Sequence, residues 1–259
     1  MARSTSSLRR SVGRALRRLS RPAGSFDAAR YFRGGHDLRF YNVGTAAMRA
    51  FARDQYQTHR DVWTIDDAMR EADALMLDPY LETKSVAIEL VARYRRSFAP
   101  RLLTQWKRWL AGNLSANWAT TDAICGMLIG PLLVDRPELA RQMTAWSRDS
   151  NMWVRRASAV ALIPLLRRGL ALDLGYATAA RLQRDREDLI QKAVGWMLRE
   201  AGKTDSRRLE RYLLAQGPRT PRTTLRYAIE RFPAARRRAI LTRTRAIHAP
   251  LNGRDSAAR

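Results

Sequence analysis

The segment NWATTDAICGMLIGPLL, starting at Asn117, contains a pairing whose residue types can do chemistry. Trp118 and Asp122 are four residues apart, so on a helix they share a face, one turn from each other. A carboxylate can steady a developing cation or handle a proton, and an indole offers a negative π-face to a positive charge beside it. Asp122 is the only acidic residue between Glu89 and Asp135, within apolar and basic surroundings where carboxylates are rare. Two readings follow from the residues alone. Asp122 either forms a structural ion pair with a nearby arginine such as Arg93 or Arg96, or it serves a site.

Two later segments carry residues of the same kind. In RDSNMWVRRASAVALI, starting at Arg148, any of Asp149, Ser150 or Asn151 can cap a helix that begins near Met152. Trp153 and Arg156 then share a face, with Trp153 reading as packing. Arg155 and Arg156 lie on adjacent stripes, and periodicity does not choose between them. In EDLIQKAVGWMLREAGKT, starting at Glu187, the apolar stripe is Ile190, Val194, Met197 and Ala201. Trp196 lies off that stripe, between Lys192 and Arg199, where an indole suits ligand contact or the capping of a neighbouring helix.

The elements that must position these residues are helices. From Phe26 onward, amphipathic segments alternate with short breaks containing Pro, Gly, Asp or Asn. The pattern predicts helices over 44–58, 64–77, 81–98, 100–111, 116–133, 136–147, 151–168, 174–184, 187–201, 206–215, 219–231 and 233–245. No alternating strand pattern survives between them. Helix pairs recurring at about 35 to 45 residues predict an all-α fold, an α-solenoid whose inner helices line a concave basic groove. The expected organisation is a disordered basic arm over 1–25, one helical domain over 26–247 and a disordered tail over 248–259. The arm contains seven arginines and no acidic residue. Its composition is also that of an organelle transit peptide.

Charge dominates the composition. The 259 residues carry a formal net charge of +24, and only four of the 48 basic residues are lysine. Arginine presents a planar fork of donors to phosphate, although a GC-rich genome also favours Arg over Lys. A sequence pI near 11.5 makes a polyanion, nucleic acid above all, the leading partner. The C-terminal stretch from Arg219 to Arg245 extends this charge, with nine arginines opposed only by Glu230. A mean hydropathy of −0.42, without an apolar run of membrane-spanning length, argues against a membrane protein and against secretion. The single Cys125 excludes an internal disulfide and fits a reducing compartment. His36, His59 and His248 are too scattered for a metal cage, so no metal and no cofactor is expected.

The order Trp-x-x-x-Asp, then Trp-x-x-Arg, then QKAVGWMLRE resembles the DNA alkylation repair (AlkD-like) family of HEAT-repeat DNA glycosylases. QKAVGWMLREAGKT is its most specific stretch, and the similarity covers most of 29–232. The resemblance implies that Trp118 and Trp196 flank the lesion-bearing nucleotide and that Asp122 is the catalytic aspartate. It favours Arg156 over Arg155 as the arginine that contacts DNA. Lys192 and Arg199, beside Trp196, are expected to contact DNA as well, and AARYFRGG would place Tyr31 at the minor groove. The implied reaction is removal of 3-alkyladenine and 7-alkylguanine from duplex DNA, with Asp122 stabilising an oxocarbenium-like sugar and positioning water. It also implies an open site that does not enclose the base. A monomer in the bacterial cytoplasm, held at the nucleoid through DNA, is expected. The competing expectations are a non-catalytic HEAT-repeat DNA-binding protein and a scaffold for an acidic protein.

Overall fold

In a computed structural model, residues 2–22, 24, 32, 38–115 and 117–245 are described. The architecture is all-α and solenoid-like, with no strand among the described residues beyond a single bridge between Arg39 and Tyr80. The apolar spacing that predicts helices has a simple cause: each helix must bury one stripe against its neighbours. Local capping then fixes where the helices begin. Thr64, for example, forms a reciprocal capping box with Asp67 at the start of the helix Ile65–Met76.

Helix α1 is Ala2–Arg18, α2 is Thr45–His59, α3 is Ile65–Met76 and α4 is Leu81–Ala92. They are followed by α5, Arg101–Ala111, and by α6, Trp118–Ile124, which runs through a π-helical turn at Cys125–Ile129 into α7, Gly130–Asp135. Beyond these lie α8, Met143–Trp146, α9, Met152–Val160, and α10, Ile163–Leu166. The last five are α11, Leu172–Leu182, α12, Asp188–Thr204, α13, Ser206–Gln216, α14, Arg222–Ala228, and α15, Ala234–Arg243.

Helices α4, α6, α9, α12 and α14 pack each against the next and form one continuous row. The others back this row: α2 and α3 on α4, α5 on α9, α11 and α13 on α12, and α15 on α13. This is the arrangement expected of stacked helix pairs, in which residues distant in sequence converge on the inner row. The core is continuous along the stack and includes the fully buried Trp106 and Trp109 of α5. The Trp109 indole N–H donates to Asp73 at 2.6 Å, which satisfies the one polar atom that it would otherwise bury.

Four expectations are corrected. Residues 2–18 of the expected disordered arm form α1, because Val12 and Leu16 supply an apolar edge that is fully buried against α3 and α4. The continuous helix expected over 151–168 breaks between α9 and α10, where Pro164 cannot donate to the carbonyl one turn back. The helix expected over 136–147 divides into a 3₁₀ turn at Pro137–Gln142 and the short α8, and that over 219–231 shrinks to α14, which starts after Pro221 and follows a 3₁₀ turn at Gly217–Arg219. The tail over 248–259 lies outside the described residues. No helix among the described residues is long and apolar enough to cross a membrane.

Candidate active site

The inner row brings four of its helices to a single cavity of about 380 Å³. Helix α6 contributes Trp118 and Asp122, α9 contributes Arg156, α12 contributes Leu189, Lys192, Trp196 and Arg199, and α14 contributes Tyr227. Caps aim the first two helices. The Asn117 side chain accepts from the Thr120 amide at 2.9 Å, which makes Trp118 the first residue of α6 and puts Asp122 one turn below it. Of the three candidate caps for α9, Asn151 is the one used, accepting from the Trp153 amide at 2.8 Å. Its side-chain amide also donates to Asn113 at 2.8 Å, tying the start of α9 to the end of α5.

At the floor of the cavity lies a bidentate ion pair. Arg156 Nε donates to Asp122 Oδ1 at 2.9 Å and Nη2 donates to Oδ2 at 2.8 Å. The third nitrogen, Nη1, donates to the Leu189 carbonyl, which ties the guanidinium to α12 as well. The arginine side chain is 6% exposed and the aspartate 16%. Burial pushes the Asp122 carboxyl above its ordinary value of 3.8, and Arg156 opposes that shift. Arg156 uses one lone-pair direction on each oxygen, which leaves the others for a cation or a water in the cavity. Behind Asp122, Cys125 is wholly buried, and that burial holds its thiol well above the usual range and away from thiolate chemistry.

One expected pairing is thereby corrected. Asp122 pairs with neither Arg93 nor Arg96: Arg93 donates to Glu89 on its own helix at 3.0 Å, and the Asp122 partner comes from α9. Arg156, expected at a phosphate, lines the cavity while each of its three nitrogens donates once within the protein. Arg155 points elsewhere, to Asp185 at 2.7 Å, and Trp153 is buried in the core. Lys192 and Arg199 line the cavity, yet both are paired. Lys192 meets Asp188 at 2.6 Å, and Arg199 is bound by Glu230 with Glu200 at 3.6 Å. Tyr31 lies outside the described residues.

Its neighbour Phe32, which the motif pattern does not single out, stacks on Trp118 at 5.8 Å between ring centroids. Tyr227 is a lining residue that sequence reasoning missed. It is 37% exposed, and an aromatic within an arginine-rich stretch was the available signal. The cavity thus combines a buried carboxylate, indoles from α6 and α12, a phenol and a cationic rim. Among the described residues no group of three or more His, Cys, Asp or Glu side chains is placed to hold a metal ion.

A family profile described as "DNA alkylation repair enzyme" matches residues 12–232. Among solved structures, the chain is similar to one described as a predicted DNA alkylation repair enzyme from Enterococcus faecalis. The two share 19% identity with a TM-score of 0.69, over 80% of this chain and 93% of the other. No curated protein matches.

Proposed function

Because the chain belongs to the DNA alkylation repair enzyme family, so that its role lies in the repair of alkylated DNA, we propose that it is a DNA glycosylase for positively charged alkylpurines. The observation that carries this reading is Asp122, a buried carboxylate with free lone-pair directions in a cavity shared with two indoles. A purine alkylated at a ring nitrogen, as in 3-alkyladenine or 7-alkylguanine, is already cationic. Its glycosidic bond is weakened, and the base needs no strong acid in order to leave. The remaining barrier is the cationic sugar, which a carboxylate can stabilise and which water then attacks.

The magnitudes are adequate. Two unit charges about 4 Å apart at an effective dielectric near 20 interact by about 4 kcal/mol. Each 1.36 kcal/mol or so is worth tenfold in rate, so Asp122 can contribute roughly 10² to 10³-fold. Trp118 and Trp196 add cation–π stabilisation of about 0.5 to 2 kcal/mol each toward lesion and sugar. Arg156 acts as the counter-ion that fixes the carboxylate, and its remaining N–H groups can hold a phosphate beside it. On this reading the site does not enclose the base, and bulky alkyl adducts should enter it as well as methyl groups.

Base release is the test. Purified protein should liberate free 7-methylguanine and 3-methyladenine from methylated duplex DNA and leave abasic sites. Binding of that DNA without any release would favour the non-catalytic reading instead. Release of methylpurines with complete exclusion of larger adducts would sink only the open-site part.

A further inference from the structure

A cavity of about 750 Å³, separate from the one at Asp122, lies between α1 and the end of α3. Its walls carry Arg9, Arg10, Arg14 and Arg17 of α1 opposite Tyr41 and Asp78. Asp78 is the one carboxylate there. It already holds Arg9 at 3.1 Å and lies in the field of the buried Lys84, so it does little for the other three arginines. Arg10, Arg14 and Arg17 are exposed and have no ion-pair partner among the described residues. Arg17 lies over the Tyr41 ring at 5.9 Å.

Such spacing costs stability by itself, since like charges three or four residues apart on a helix repel. It suits a polyanion. From residue 10 to 17 the helix rises about 10 Å, the axial rise of roughly three nucleotides of one strand. The cavity is also close to the candidate active site. Trp118 stacks on Phe32 at 5.8 Å, Phe32 meets Phe40 at 5.5 Å, and the next residue is the groove-lining Tyr41. The connecting segment is pinned, because the amides of Tyr41 and Val43 donate to Glu82 at 3.1 and 3.2 Å. The path from Trp118 to the groove therefore spans on the order of 20 Å, or about six base pairs.

The geometry points to the α1 groove as a second docking track for the phosphate backbone of duplex DNA, flanking the damaged nucleotide held at Trp118 and Asp122. This rests on the reading that the chain acts on DNA at that site. The arginines would contact successive phosphates of one strand and set the register of the duplex, without reading its bases.

The test uses undamaged duplex of about 25 base pairs, so its outcome does not depend on the release of any base. Log affinity is measured against log salt for the wild type and for R10Q/R14Q/R17Q. The slope should become shallower by about 2 to 3, near 0.9 for each phosphate that is no longer neutralised. R53Q/R60Q/R70Q removes the same charge from arginines that each sit beside a carboxylate, and it should change the slope by less than about one. If the triple groove variant does not fold, R14Q alone should still lower the slope by about 0.9. An unchanged slope in a folded groove variant would overturn the proposal, as would an equal fall in the control. Protection of the wild type from melting by millimolar inorganic phosphate, with an unchanged slope in the variant, would make the groove a free-anion pocket and overturn it too.

Discussion

In the proposed reaction, Asp122 and Arg156 are the pair on which the chemistry turns. Their contact reconciles two readings that the residues alone left open: the carboxylate is ion-paired, and it also faces a cavity lined by indoles. The sequence could not identify the partner. Helical periodicity orders residues within a helix, and this pair joins helices 34 residues apart. Because burial raises the folded-state pKa of Asp122 above 3.8, the folded chain binds its proton more tightly than the unfolded chain. Two consequences follow, with opposite signs. Base release, which needs the ionised form, should fall on an acid limb lying above 3.8, whereas stability from this group increases as pH drops through the same window. Removing the counter-ion exaggerates both effects. Arg156→Gln should cost about 3 to 5 kcal/mol at neutral pH, with part of the loss regained on acidification. Its acid limb in a pH–rate profile should move upward. A profile identical to that of the wild type would show that Arg156 does not govern the ionisation of Asp122.

Elements position the pair, and they do so through close approach. Helices α12 and α14 touch at Gly195, where an added Cβ would lie 2.5 Å from Tyr227 Cβ and 2.7 Å from the Thr224 carbonyl. Both neighbours are bound to backbone, so the helices would have to move apart, carrying Tyr227 away from Trp196. Gly195→Ala should therefore slow base release by tenfold or more and cost about 1 to 3 kcal/mol, measured by single-turnover kinetics and denaturant unfolding. A neutral effect on both would mean that this contact does not set the cavity. The π turn at Cys125–Ile129 works in the same direction: its extra residue re-phases the helix, so that Asp122 can face the cavity while Leu132 and Leu133 face the core. Helix existence was legible from apolar period, and the breaks at Pro164, Pro137 and Pro221 were written in the sequence as well. Helix α1 was not legible, because serine, arginine and the lack of acid outweighed the i, i+4, i+8 spacing of Leu8, Val12 and Leu16. If α1 is docked as described, Leu16→Ala should cost about 2 to 5 kcal/mol in a denaturant melt. No loss would indicate that α1 stands free.

On the scale of the whole molecule, a solenoid-like stack makes a long surface from short parts, and a net charge of +24 gives that surface a field for a polyanion. Charge and fold class could both be read from the sequence. What composition could not show is that the cations of the cavity rim are largely neutralised, with Lys192 on Asp188 and Arg199 on Glu230. On the proposed function, most of the attraction for DNA then has to come from arginines outside the cavity. The central claim is that Asp122 lowers the barrier to base loss, beyond holding α6 to α9. Single-turnover release of 7-methylguanine by Asp122→Asn, on duplex DNA at saturating protein, tests it most directly. Asparagine keeps the shape and removes the charge. Release should fall by roughly 10² to 10³-fold while the affinity for the same DNA stays within about threefold. A release rate equal to that of the wild type would contradict the account and return Asp122 to the role of a structural ion pair.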